Sequence, residues 1–216
     1  MTGLVLHDYF RSSTSIRLRV ALNLKGLSHD QIAHHLRKGE QRDAAYLAIN
    51  PQGLVPALVL EDGAVLTQSL AIIEYLDEIH PRSPLLPKSA LDRARVRALA
   101  HAVALEIHPI NNLRVLAHLR SAFDADDDSI STWFRHWVAE TFKPLEAMLA
   151  GDSRTGRFCH GDTPGLADLC LYAQVLSNRR FDVVMSPYPT ISRVFEACAM
   201  QPAFAVAAPD KQPDAE

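Results

Sequence analysis

The run RSSTSIRLR, residues 11–19, follows a short apolar strand at 4–7 and opens a helix over 15–24. Hydroxyl groups and free backbone N–H groups at a helix start form an anion site. The same partial positive charge stabilises a thiolate. No GxGxxG or Walker pattern accompanies the run, so the anion need not be phosphate. The alternative is a serine cap on an ordinary amphipathic helix, and taken alone the segment leaves both readings open.

Outward from this run, the chain alternates strands and helices. A strand is expected near 29–34, so the strand-helix-strand unit implies parallel pairing through a right-handed crossover. A short helix at 44–48 ends at Asn50 and Pro51, and strands at 57–61 and 64–67 flank Asp62-Gly63, a hairpin signal. Ser69 is expected to cap a helix over 70–79 that buries Ile72, Ile73 and Leu76. The order is β-α-β-α-β-β-α, a thioredoxin-like α/β arrangement. Prolines at 81, 84 and 87 then mark a boundary. Beyond them the periodicity is helical over 92–120, 129–149, 166–177 and 190–198, an all-α half. The expected domains are 1–83 and 88–216, with a disordered tail from Pro209 to Glu216.

The chain has 216 residues and a net charge of −3, which gives no support to nucleic acid or an anionic membrane as partner. There is no apolar run of about 18 residues and no signal-peptide pattern, so a soluble cytoplasmic protein is expected. Cys159, Cys170 and Cys198 show no metal-ligand spacing and read as buried thiols in a reducing compartment.

Three further features bear on chemistry. In Leu54-Val55-Pro56-Ala57-Leu58 a proline precedes a strand, where a cis bond would leave Val55 N–H and C=O to pair with an extended peptide. Gln68 and Ser69 form a second helix start, suited to a carboxylate or merely capped. Two such sites in one small unit suggest a ligand with a thiolate at one end and a carboxylate at the other, as in glutathione. In the helical half, His108-Pro109-Ile110-Asn111-Asn112-Leu113-Arg114 kinks or restarts a helix. His108 lacks companions for a metal site. Arg179 and Arg180 end another helix, where they complement its dipole or meet a substrate with several carboxylates.

The segments YFRSSTSIRLRVALNLKG, INPQGLVPAL, TQSLAIIEYL, IHPINNLRVL, GDTPGLADLCL and RRFDVVMSPYPTI, in unbroken order from about 4 to 213, resemble the zeta class of glutathione transferases, the maleylacetoacetate and maleylpyruvate isomerases. The resemblance implies a glutathione transferase architecture, a homodimer, no metal and glutathione as cofactor. It places catalysis at Ser12, Ser13 and Thr14, with Ser12 matching the catalytic serine. Glutathione contacts fall on Ser12, Thr14, Gln41, Val55, Gln68, Ser69, His108 and Asn112, and Pro56 is structural. Arg11, Arg114 and Arg180 match arginines facing substrate carboxylates, Arg114 being of the bacterial type. Two departures stand out. Thr14 replaces the family's usual cysteine, and Gly165 replaces a Ser or Thr cap, at an expected cost of a few tenths of a kcal/mol.

The implied reaction is cis–trans isomerisation of a maleyl dicarboxylic substrate by reversible thiolate addition. A free thiol titrates near about 8.5, so the site must favour the anion. The competing expectations are a general glutathione transferase or α-haloacid dehalogenase, and a glutathione-binding interaction module without catalysis.

Overall fold

A computed structural model describes residues 3–216. Two compact units divide it: the chain up to Leu85 together with Met200–Glu216, and Leu86–Ala199.

In the first unit β1 (Val5–Asp8), β2 (Asp30–Ala33), β3 (Ala57–Val59) and β4 (Val65–Thr67) form one sheet in the order β2-β1-β3-β4. β1 pairs parallel to β2, with Leu6 opposite Gln31, and antiparallel to β3, with Leu6 opposite Leu58. β3 and β4 form the expected antiparallel pair around Asp62-Gly63, each strand shorter than its apolar run. α1 (Ser13–Lys25) begins at Ser12, whose hydroxyl accepts from Ser15 N–H, and stops at Gly26, a left-handed residue at φ 65°. α2 (Ala44–Ile49) is a single short helix, and α3 (Ser69–Ile79) buries Ile72, Ile73 and Leu76 as the pattern requires.

The start of α3 differs from expectation. Gln68, at φ 68°, is the cap residue, and Ser69 is the first helical residue. The tail differs too. Within Met200–Glu216, Pro209–Lys211 forms a helical turn, Gln212 is buried and donates to the carbonyls of Val206 and Ala208, and Asp214 accepts from Phe10 N–H. The segment therefore belongs with the first unit, although the expected division at 83–88 left it, with a disordered tail, in the second half.

In the second unit α4 (Ala90–His101) runs into a wider π-type turn at Ala102–Ile107, and α5 (Leu113–Phe123) starts afresh after His108-Pro109. Helical periodicity over 92–120 with a kink or restart at Pro109 was expected; the proline, which lacks an N–H and clashes with the preceding turn, separates two helices. α6 (Asp127–Ala150) buries Ile130, Phe134, Val138, Phe142, Leu145 and Leu149. α7 (Leu166–Asn178) is buried on nearly every face and packs against α4 and α8 (Pro189–Ala199). A last short helix, α9 (Pro202–Ala205), returns to α1 within the first unit.

Candidate active site

In the first unit three expected residues are joined by hydrogen bonds. Ser12 Oγ lies 2.8 Å from Thr14 Oγ1, and Thr14 Oγ1 donates to the Val55 carbonyl at 2.9 Å. The first turn of α1 is thus tied to the loop whose Val55–Pro56 bond is cis. Thr14 has one hydroxyl hydrogen, and Val55 takes it, so Thr14 orients its neighbours rather than offering that hydrogen to an anion. Val55 N–H donates to no described residue. Its carbonyl, expected free, carries the Thr14 bond.

The cis-proline loop is held from behind. Leu54 C=O accepts from Tyr46 Oη at 2.5 Å and from Asn50 Nδ2 at 2.7 Å. Burial pushes the Tyr46 phenol up to about 12, so it stays a donor at neutral pH. Gly53, at φ 59°, is a second constraint: a side chain there would meet Gln41 C=O at 3.0 Å. That close approach sets the Gln41 turn, Glu40–Arg42, against the Val55 loop. Gln41 Oε1 is buried without a hydrogen-bond partner among the described residues.

At α3 no side chain caps the helix start. Ser69 is buried at its first position, and exposed Gln68 donates from Nε2 to Gln52 Oε1 at 3.0 Å. The capping alternative, which α1 fulfils through Ser12, does not account for α3. An uncapped helix start retains its partial positive charge and free N–H groups.

Arg11 sits on the bend before α1, its guanidinium 5.8 Å from the Tyr9 ring centroid and 5.3 Å from that of Phe10. The bend is fixed by Arg19, which donates to Tyr9 C=O at 3.4 Å, to Phe10 C=O at 2.6 Å and to Asp8 Oδ2 at 2.5 Å. Burial raises the Asp8 carboxyl while Arg19 draws it back down. Ser13 is buried in the first turn of α1. Tyr46, Asn50, Gln52, Arg19 and Asp214 were missed from sequence. The signal for Arg19 was its place between Leu18 and Val20 in a helix, since an arginine among buried neighbours requires an acceptor.

In the second unit His108 follows the π-type turn, its N–H donating to Val103 C=O. Asn112 caps α5, accepting from Val115 N–H at 3.3 Å, and Trp133 Nε1 donates to Ile110 C=O at 3.1 Å. Exposed Arg114 is the second residue of α5. Arg180 lies in the turn Arg179–Phe181 that ends α7, with its guanidinium 5.7 Å from the Phe181 ring centroid. Phe181 stacks on Phe134 at 3.8 Å. No group of three or more potential metal ligands occurs among the described residues.

Residues 11–79 match the family model described as "Glutathione S-transferase, N-terminal domain". The chain is 51% identical over 210 residues to a maleylpyruvate isomerase of Ralstonia sp, covering 97% of this chain and 98% of that protein. It superposes on the holo structure of a maleylpyruvate isomerase, a bacterial zeta-class glutathione transferase, with a TM-score of 0.96, 50% identity and coverage of 98% and 100%. It also matches a maleylacetoacetate isomerase from Anaeromyxobacter dehalogenans, solved with glutathione in the active site, with a TM-score of 0.89, 43% identity and coverage of 99% and 98%.

Proposed function

We propose, from the premise that this chain belongs to the zeta-class glutathione transferases, the maleylacetoacetate and maleylpyruvate isomerases, a division of labour among its residues. The protein is a glutathione-dependent isomerase. Its substrate is a maleyl keto acid that leaves as the fumaryl isomer. Bound glutathione supplies a thiolate, which adds reversibly to the cis double bond so that the carbons can rotate before it departs.

The observation that carries the assignment of residues is the uncapped start of α3, together with a Val55 N–H that has no acceptor among the described residues. Backbone donors without a protein partner are open to a ligand. Ser69 and the first N–H groups of α3 hold a carboxylate of the tripeptide, and Val55 pairs with its backbone. Gln68 and Gln41 add polar contacts, as do His108 and Asn112, the latter through Nδ2 because its oxygen caps α5. Ser12 and the start of α1 hold the sulfur as its anion. Ser13 completes the first turn behind them. Arg11, Arg114 and Arg180 bind the substrate carboxylates and stabilise the enolate that develops after addition. A homodimer in the cytoplasm completes the reading; three buried cysteines, none of them in a disulfide, fit a reducing compartment.

The test is isomerisation of maleylacetoacetate and of maleylpyruvate, each with and without glutathione. Turnover of at least one is expected only with glutathione. Ser12→Ala should lower kcat on the order of 10²-fold and change glutathione affinity by no more than about threefold. Halide release from an α-haloacid without isomerisation of either substrate would replace this reading with displacement chemistry.

A further inference from the structure

We propose that Thr14 is a positioning residue that competes with the cofactor sulfur for the Ser12 hydroxyl hydrogen and so limits how far the bound thiol ionises. The proposal rests on Ser12 being the partner of that sulfur.

The argument is a count of hydrogens. A carbonyl oxygen only accepts, so the 2.9 Å contact between Thr14 and Val55 uses the single hydroxyl hydrogen of Thr14. The 2.8 Å contact between Thr14 Oγ1 and Ser12 Oγ must then be donated by Ser12. Ser15 N–H approaches the same Ser12 oxygen at 3.4 Å, as a donor should when that oxygen is accepting. The hydrogens run in one direction: Ser12 to Thr14, then Thr14 to Val55. Ser12 consequently turns a lone pair outward.

Stabilising a thiolate requires the opposite orientation. Ser12 must release Thr14 and turn its hydrogen to sulfur, leaving Thr14 Oγ1 without an incoming donor. The sulfur anion gains only the difference between two hydrogen bonds, and the thiol pKa is lowered less than a free hydroxyl would lower it. Such restraint suits reversible addition. Thiolate nucleophilicity falls as thiol pKa falls, and the same sulfur has to attack and then leave. The proton lost by the thiol goes to bulk buffer.

The side chain at position 14 should set this balance. Valine has nearly the shape of threonine but accepts nothing, cysteine accepts weakly, and serine keeps the hydroxyl.

The measurement is a pH titration of the ultraviolet thiolate absorbance of glutathione bound to the parent, Thr14→Val, Thr14→Cys and Thr14→Ser proteins, with binding followed by calorimetry and folding by melting curves. Thr14→Val is expected to lower the bound thiol pKa by about 0.5 to 1 unit. Thr14→Cys should lower it by less, and Thr14→Ser should return it to the parent value. An unchanged or raised pKa in Thr14→Val overturns the proposal, because Thr14 would then be idle or would itself donate to sulfur. Should Thr14→Val fail to fold, the Thr14→Cys shift decides the matter by the same sign. Failure of the parent to bind glutathione would instead remove the underlying reading, and calorimetry alone would reveal it.

Discussion

His7 Nδ1 and His34 Nε2 lie 2.9 Å apart, their rings stacked at 5.2 Å, with Tyr46 covering His34 at 4.1 Å. One nitrogen donates and the other accepts, so the two rings cannot both be protonated while the contact forms. Burial lowers the His7 pKa, with the charge of His34 as a second cause. It also lowers that of His34, against the opposing pull of Glu40 and Asp43. In the unfolded chain both titrate near about 6.5. Below that pH the unfolded state binds more protons than the folded one, so stability falls as pH falls from 6.5 toward the folded pKa values. Above 6.5 this contribution is fully present. The melting temperature should therefore decline more steeply between about pH 6.5 and 5 in the parent than in His34→Gln, which removes one of the two groups. Equal slopes would mean the pair does not titrate with unfolding. Neither histidine was legible as part of a pair. Period-two reading places each residue on a face of its strand, but says nothing about which partner the neighbouring strand supplies.

At the scale of an element, α7 shows how a helix can be legible while its anchor is not. Gly165 at its cap offers no side chain, and the sequence reading placed a small cost there. The capping load lies instead on Asp168, whose carboxylate accepts from Gly165 N–H at 2.9 Å and from Cys159 N–H at 2.8 Å. Complete burial pushes its pKa up to about 6, although the two N–H groups favour the charged form. Asp168→Ala should cost about 2–3 kcal/mol in urea unfolding, since one buried and one partly buried donor lose a charged acceptor. Asp168→Asn, which retains one accepting oxygen, should fall between. A loss under about 0.5 kcal/mol in the alanine variant would show that water replaces the carboxylate freely. The helix itself was readable because apolar spacing reports burial; the bond to Cys159 was not, because it joins residues outside that periodicity. The same limit applied at α3. Serine's statistical preference for the cap position pointed to Ser69, whereas a positive φ at Gln68 moves the cap back by one residue. In the candidate site, the hydroxyl run and the Val55-Pro56 step were visible from residue type. The bond that links Thr14 to Val55, residues 41 positions apart, became visible only when the intervening chain had folded.

At the scale of the whole chain, the change of unit falls between Leu85 and Leu86, inside the stretch marked by prolines. The return of Met200–Glu216 to the first unit was hidden, because a polar, proline-containing end reads as solvent-exposed. Its contacts are specific. Ala207 C=O accepts from Arg19 Nη2 at 3.1 Å, Ala203 C=O from Asn23 Nδ2 at 2.9 Å, and Asp214 from Phe10 N–H at 2.9 Å. Phe10 lies two residues before Ser12, so the final segment helps set the bend from which α1 starts. Truncating the chain after Ala208 keeps the Arg19 and Asn23 contacts but removes the acceptor for Phe10 N–H. Buried donors left unpaired cost more than exposed ones, and the loss should be local. Amide exchange at Phe10 is expected to accelerate by about tenfold or more, while buried α7 amides such as Leu169 and Leu171 keep their protection. Full-chain Asp214→Ala should reproduce the Phe10 effect without shortening the protein. If both variants left Phe10 exchange unchanged, the bend would be held by Arg19 alone, and the last residues of the chain would have no part in presenting Ser12.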